Sequence, residues 1–276
     1  MQLNSLIDKA LGLILGSAAI GALTYAQRLV YLPVGIFGAA MGMVALPALS
    51  RAQAKNDLDG VADGLDYALR TVLFLALPCT AFLLTAGEAV ITFLFARGAF
   101  NQLAINETTY ALAFYLAGLP AFCCAKVATN PFHARKDTKT PMLVGISCMF
   151  LNLALNLILM RYLRQGGLAL ATSICSWLNV AILLLLNRRH LPQWSPAKLL
   201  KAASALLLSA AAAAIASYAL VALLARSEIL AQTPKFIASG IAVAGALLTT
   251  AVAYIAFCLL LKRPELRELL RSIRRR

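Results

Sequence analysis

The chain has 276 residues, of which 61% are hydrophobic and only 13% are charged, and its mean hydropathy is +0.81. Soluble domains are closer to half apolar and a quarter charged, so this composition excludes an ordinary soluble domain and indicates a polytopic membrane protein. The formal net charge of +14 would suggest nucleic acid as the partner of a soluble protein, but here the basic residues lie in short loops and at the C-terminus, where membrane topology and anionic lipid account for them. We therefore expect no nucleic-acid partner.

Eight apolar runs are long enough to cross a membrane, which takes about 20 residues, and all are predicted to be helices. The predicted spans are 3–26, 29–50, 68–96, 104–127, 141–161, 166–187, 200–225 and 236–261. Most arginines and lysines fall in alternate connections and in the basic tail 263–276. The positive-inside rule then predicts that both ends of the chain are cytoplasmic. No cleavable signal sequence stands at the start, and the chain is expected to begin within a longer protein.

The first two predicted spans meet around one cation, Arg28. An arginine between membrane segments is costly, and it usually points into a helix bundle or a wet cavity where an anion can meet it. This arrangement favours a transporter of an anionic substrate. The alternative is a tightly packed hairpin whose arginine reaches the membrane surface.

The second predicted span combines helix-loosening and small residues, namely Pro33, Gly35, Gly38 and Gly42. The three glycines are three and four positions apart, so on a regular helix they share one face and let another helix approach closely. Proline loosens the helix where bending is needed. The sequence therefore predicts a hinge here.

Polar residues in three of the predicted spans need an explanation. Asn152 and Asn156 are four apart and project from one helix face, Thr172 lies in the next span, and Asp8 lies in the first. Carboxylate, amide and hydroxyl oxygens are the ligands that a small hard cation prefers. The alternative is that these groups hydrogen-bond between helices and hold the bundle together.

The stretch 56–66 contains four aspartates, Asp57, Asp59, Asp63 and Asp66. Membrane prenyltransferases bind magnesium-diphosphate with aspartate clusters of similar density, but they need two facing clusters, and the sequence offers no second one. A solvated helix that leads into the third span is the alternative. The six cysteines lie inside apolar runs without metal-like spacing, and we expect no disulfide framework.

Three motifs together resemble the MurJ/MviN lipid II flippase family. The first is YAQRLVYLPVGIFGAAMGMVALPALSR (25–51), and the second is FARGAF (95–100). The third is YLAGLPAFCCAKVATNPFHARKDTKTPM (115–142), with these residues in register: Lys126, Pro131, Phe132, Arg135, Asp137, Lys139, Thr140 and Pro141. The motifs occur in the family's order and spacing.

The resemblance implies an all-α, polytopic helical bundle, half of a MATE/polysaccharide-exporter-like transporter. Residues 1–190 would form the second six-helix lobe, 191–262 the final helix pair with a groove for the lipid tail, and 263–276 a basic cytoplasmic tail. The implied activity is movement of lipid II, the lipid-linked peptidoglycan precursor, across the bacterial inner membrane by alternating access, without enzymatic turnover. The implied partners are lipid II with its undecaprenyl tail, the membrane, and either the missing first lobe or a second copy.

The resemblance also assigns residues. Arg28 matches the second lobe's cavity arginine, which would contact the precursor's diphosphate, and the preceding residue, usually Asp, is Gln27 here. The side chains of Asp8, Asn152, Asn156 and Thr172, with the carbonyl of Leu168, match a sodium site of some members. Position 156 is Asp in those members, so a single carboxylate predicts weaker sodium binding. Apart from this possible Na⁺, no cofactor is expected.

Other functions remain as alternatives. A related transporter could export another polyprenyl-linked glycan or, like MATE proteins, a drug. An intramembrane prenyltransferase that uses Asp57 and Asp59 is the remote alternative.

Overall fold

The structure is a computed structural model that describes residues 2–98, 100–226 and 234–261. Every regular element in these ranges is helical, which confirms the predicted all-α bundle. In chain order the elements are α1 (Gln2–Leu15), α2 (Ser17–Pro33), a π-helical segment (Val34–Ala39), α3 (Ala40–Ala54), α4 (Leu58–Phe95), α5 (Gln102–Leu116), α6 (Leu119–Ala128), α7 (Asn130–Ala134), α8 (Lys139–Leu163), α9 (Gln165–His190), α10 (Pro196–Ala225) and α11 (Lys235–Leu260).

Six helical stretches are long and apolar enough to cross a membrane. The first is Ser17–Ala54, in which α2, the π-helical segment and α3 follow one another without a break, and the others are α4, α8, α9, α10 and α11. A seventh span results if α5 and the stretch Leu119–Ala134, which meet at a bend of 43°, are taken as one. The described residues therefore contain six or seven candidate spans, where the sequence predicted eight.

The difference lies at the start of the chain, where the predicted boundary near residues 26–29 is wrong. The helix is interrupted at Gly16, whose φ of 107° is a backbone conformation that glycine adopts without strain. Helix α1 is therefore 14 residues long, shorter than a span needs, and Arg28 lies inside a long helix rather than in a loop. One glycine between two apolar runs hardly changes their hydropathy, whereas Gln27 and Arg28 interrupt it, and so the sequence pattern misplaced the break.

Helix α4 is the centre of the bundle and packs against α3, α5, α6, α10 and α11. Its buried face includes Val61, Leu65, Leu69 and Val72, none of which exposes any surface. At its start the carboxylate of Asp57 accepts a hydrogen bond of 2.8 Å from the backbone N–H of Gly60, which caps the helix. The residues that lead into the apolar part of α4 are thus helical.

The remaining aspartates of the stretch 56–66 belong to this lead-in helix. Asp59 and Asp63 are exposed to solvent, and Asp66 forms an ion pair of 2.8 Å with Arg70 one turn later. Within the described residues, no three His, Cys, Asp or Glu side chains come together as a metal site. The observed arrangement is the solvated lead-in helix that was one of the two predictions.

Helices α10 and α11 pack against each other and against α4. The Thr85 and Ser217 hydroxyls are 3.0 Å apart, and the rings of Phe74 and Tyr254 have centroids 5.3 Å apart. These two helices make up the predicted segment 191–262, whose role as a separate unit stays a prediction. The predicted tail 263–276 lies outside the described residues.

The bend between α5 and α6 is held by α9. The Ser173 hydroxyl donates a hydrogen bond of 2.8 Å to the carbonyl of Phe114, and the Trp177 indole donates one of 2.8 Å to the carbonyl of Ala117. A Cβ on Gly118 would lie 2.8 Å from the Cα of Ser173, so only glycine fits at this crossing. The interruption in this span is therefore a fixed structural feature.

Hydrogen bonds also order the basic connection between α6 and α8. Asn187 on α9 donates to the carbonyl of Ala128 at 3.0 Å and accepts from the guanidinium of Arg135 at 3.4 Å. Asp137 accepts from the backbone N–H of Thr140 at 3.1 Å, and hydrogen bonds from the side chain and backbone of Thr140 lower the pKa of this carboxyl. Part of the third motif therefore has a structural role.

Candidate functional site

A buried polar cluster lies where α1, α8 and α9 meet. Asp8 on α1 exposes no surface, and its two carboxylate oxygens have different partners. Oδ1 accepts a hydrogen bond of 2.8 Å from the Asn156 amide, and Oδ2 accepts one of 2.9 Å from the Thr172 hydroxyl. Residues separated by about 150 positions in the sequence are thus in direct contact.

Asn152 completes this cluster. Its amide donates to the Thr172 hydroxyl at 3.2 Å, and its carbonyl oxygen accepts from the Asn156 amide at 3.2 Å. Asn152 and Asn156 project from one face of α8, as their spacing predicted. Leu168, the fifth predicted residue, is buried one turn before Thr172 on α9. The structure therefore brings the predicted side chains together, while their role as metal ligands stays a prediction.

The chemistry of the cluster suits a small hard cation. Within the described part of the chain, no basic side chain pairs with Asp8, and a buried carboxylate is costly unless it is paired or coordinates a metal. The Asn156 amide donates to Asp8, which leaves its own carbonyl oxygen buried without a hydrogen-bond partner. A cation among these oxygens would neutralise the Asp8 carboxylate and coordinate the unpaired carbonyl oxygen of Asn156. The donor set fits sodium.

Tyr115 is a member of the site that the sequence analysis missed. This buried residue on α5 donates a long hydrogen bond of 3.5 Å from its hydroxyl to Oδ2 of Asp8, and it accepts one of 2.8 Å from the amide of Gln27 on α2. A tyrosine hydroxyl inside an apolar run usually has a partner, and that was the available signal. The partner itself could not be identified, because Asp8 and Tyr115 are far apart in sequence.

Arg28 lies about 100° around α2 from Gln27, and no described contact joins it to this cluster. Its neighbour Gln27 is buried, whereas Arg28 is exposed and its guanidinium carbon lies 5.3 Å from the centre of the Tyr25 ring. Tyr31, Leu32 and Gly35 are exposed on the same side. Arg28 therefore stands among apolar side chains on an open face of the bundle, and no described residue forms an ion pair with it.

The predicted hinge coincides with the π-helical segment, which begins directly after Pro33. π-Helical turns are rare in proteins, and those that occur are often found at functional sites. Gly38 and Gly42 allow close packing as predicted, since a Cβ would lie 3.1 Å from the Cα of Cys123 and 3.4 Å from the carbonyl oxygen of Lys126, respectively. The prediction is wrong for Gly35, where a Cβ would have no neighbour within 4 Å. The wider π-helical turn rotates Gly35 away from the face it would share on a regular helix.

Comparison with known proteins identifies the family. The profile of the family described as "Lipid II flippase MurJ" matches residues 1–235. Probable lipid II flippases MurJ from Vibrio cholerae and Rhizobium tropici are 37% identical over 182 residues and 39% identical over 186 residues. These alignments cover 66% and 65% of this chain, and 35% and 34% of the relatives.

Solved structures agree with this result. The lipid II flippase MurJ in an inward closed conformation superposes with a TM-score of 0.72 at 25% identity, and the match covers 95% of this chain and 52% of that protein. A multidrug MATE transporter in an outward-facing conformation superposes with a TM-score of 0.61 at 17% identity, over 94% of this chain and 61% of that one, which shows a shared fold. The chain thus spans about a third of the curated relatives it matches and half of the solved flippase. It belongs to the MurJ lipid II flippase family.

Proposed function

We propose that this chain is one lobe and the final helix pair of a lipid II flippase of the bacterial inner membrane. The observation that carries the proposal is Arg28, an exposed cation inside a spanning helix, next to the π-helical segment. A cation at this depth in the membrane is suited to bind an anion, and the diphosphate of lipid II is such an anion. The undecaprenyl tail would stay in the membrane along α10 and α11.

Translocation by alternating access needs a second lobe opposite the face that carries Arg28. This lobe would come from an upstream half of the protein, or from a second copy of the chain. The π-helical segment between α2 and α3 would absorb part of the rocking motion, since irregular helical turns bend more readily than regular ones. Both ends of the chain would be cytoplasmic, because the connections rich in arginine and lysine would then lie inside.

The test is rescue of cells depleted of their own lipid II flippase. One strain expresses this chain alone, and a second expresses it together with the upstream half of the Vibrio cholerae relative. We expect the second strain to grow and keep its shape. If membrane insertion of both halves is verified and neither strain grows, the proposed function is wrong; growth of the first strain would mean that two copies of this chain suffice.

We also infer that the cluster of Asp8, Asn152, Asn156 and Thr172, with the carbonyl of Leu168, holds Na⁺. A bound cation would neutralise the buried carboxylate and join α1, α8 and α9. Support comes from the all-oxygen donor set and from the unpaired carbonyl oxygen of Asn156. The thermal stability of the purified chain in NaCl and in choline chloride tests this inference, with higher stability in NaCl expected.

A further inference from the structure

A polar cavity of about 250 Å³ lies between α6, α8 and α9. Lys126 and Thr129 line it at the end of the bundle that carries the basic connection between α6 and α8, and because Lys126 is exposed we take this end as the cavity mouth. Deeper in the membrane-spanning part its lining is formed by Cys148 of α8 and by Cys175, Ser176 and Asn179 of α9. Polar side chains inside a membrane bundle are usually functional, and the flippase function uses none of these.

The inner end of this cavity touches the Asp8 cluster. The Cys175 thiol lies close to the side chain of Asn152, and the Ser176 hydroxyl donates a hydrogen bond of 2.9 Å to the carbonyl of Thr172. Nearer the mouth, the Cys148 thiol contacts the side chain of Asn179. Polar side chains therefore connect the deeper part of the cavity lining with the cluster.

Helix geometry explains this continuity. On α8 the positions 148, 152 and 156 follow at intervals of four. On α9 the positions 175 and 176 lie three and four after 172, and position 179 lies four and three after them, so each set lies on one helix face. These two faces meet along the contact between α8 and α9. On the other side of the cluster, the buried Tyr115 lies between Asp8 and Gln27 of α2, and Tyr31 of α2 also interacts electrostatically with Asp8. The cavity therefore offers a polar approach to Asp8 between α8 and α9.

We propose that this cavity is a hydrated route through which a small monovalent cation enters and leaves the Asp8 cluster. The proposal rests on the proposed cation site. The volume would hold roughly eight waters at about 30 Å³ each, enough to keep a cation partly hydrated until the cluster's oxygens replace its waters. The cation would exchange with the side of the membrane that carries the basic connection.

Lys126 is the one charged side chain among the residues that line the cavity, and it is exposed at the rim. Its charge lowers the local concentration of cations at the mouth, over the screening distance of about 8 Å at physiological salt. The Lys126→Gln variant should therefore admit cationic probes several-fold faster and anionic probes several-fold more slowly. This opposite effect on two probes is an electrostatic signature that a change in packing alone would not produce.

The native cysteines provide the main test. Two variants of the full chain keep only Cys148 or only Cys175, with the other five cysteines replaced by alanine, and a third keeps only Cys124 as a control. Cys124 is buried on α6 and lines an apolar cavity instead. In sealed membrane vesicles of known orientation, each variant is treated from either side with a membrane-impermeant trimethylammonium methanethiosulfonate, in NaCl or in choline chloride.

We expect Cys148 and Cys175 to react from the side of the basic connection, Cys124 to stay unmodified, and NaCl to slow the reaction of Cys175 at least threefold. If Cys148 and Cys175 react from that side but NaCl has no effect, the hydrated cavity is supported. The same result would overturn both the passage of sodium through the cavity and the proposed cation site. The route is overturned if Cys148 and Cys175 stay unmodified while a Thr129→Cys variant at the mouth reacts. A Ser176→Leu variant, which fills the cavity, should protect Cys175 but leave the Thr129→Cys thiol reactive.

Discussion

The amide of Gln27 donates a hydrogen bond of 2.8 Å to the hydroxyl of Tyr115, which places Tyr115 between the Arg28 helix and the Asp8 cluster. The same hydroxyl lies 3.5 Å from Oδ2 of Asp8, so a chain of polar contacts runs from α2 through α5 to α1. Arg28 is the next residue after Gln27 and is exposed. Two hydrogen bonds therefore connect Asp8 to α2, the helix that carries Arg28.

Removing the Tyr115 hydroxyl should break this connection. We expect Tyr115→Phe to lower the free energy of unfolding by about 1 kcal/mol, because a buried hydrogen-bonding group loses its partners. We also expect the variant to weaken the effect of sodium on flipping. Denaturant unfolding in detergent measures the first effect. The matched control is Tyr162→Phe, since Tyr162 is 80% exposed, and equal stability of the two variants would contradict the assignment.

Neutralising Asp8 should remove the effect of sodium on stability. A ligand at one hundred times its Kd stabilises a folded protein by about 2.7 kcal/mol, and the Asp8→Asn variant should lose this gain because the cluster then lacks its carboxylate. Melting temperatures in NaCl and choline chloride measure the difference. Asp63→Asn, at an exposed position on α4, should keep the sodium effect. A sodium effect that survives in Asp8→Asn would show that the cation binds elsewhere.

Adding a second carboxylate should strengthen cation binding. In the Asn156→Asp variant two carboxylates share the cluster, so we expect sodium affinity to rise roughly tenfold. Without sodium the same variant should be less stable than the parent chain, because two buried like charges repel each other. Titration of the melting temperature with NaCl measures both effects. An unchanged midpoint of the titration would mean that Asn156 is not a ligand.

The two glycines of the π-helical segment should respond differently to alanine. Gly38→Ala places a Cβ 3.1 Å from the Cα of Cys123, and such overpacking should cost about 1–3 kcal/mol of stability. Gly35→Ala meets no neighbour within 4 Å and should leave stability unchanged or slightly higher. Thermal unfolding of the two variants measures this contrast. Equal losses at both positions would mean that α6 does not pack against Gly38 as described.

Local spacing predicted a good part of the site. Asn152 and Asn156 are four apart, so their shared face followed from helix geometry, and Gly38 and Gly42 followed in the same way. The positions of Asp8 and Thr172 in the site came from the family resemblance, since no local pattern relates α1 to α9. Tyr115 and the cavity between α8 and α9 depend on tertiary packing and were not predicted.

The fold shows the same division. Long apolar runs predicted the helical class and five of the long spans, because hydropathy averages over many residues. The break at Gly16 depends on one backbone conformation, and the π-helical turn on the geometry after Pro33, so averaging missed both. Gly35 was misassigned for this reason, since the sequence pattern assumed a regular helix.

The central claim is that Arg28 contacts the translocated lipid, and lipid II in the outer leaflet tests it most directly. The measurement uses cells depleted of their own flippase that express this chain with the upstream half of a relative. We expect Arg28→Ala to reduce outer-leaflet lipid II at least tenfold, Arg28→Lys to retain part of it, and Arg161→Ala, a change at an exposed arginine near the end of α8, to leave it unchanged. Outer-leaflet lipid II at the parent level in Arg28→Ala, with equal amounts of inserted protein, would contradict the account.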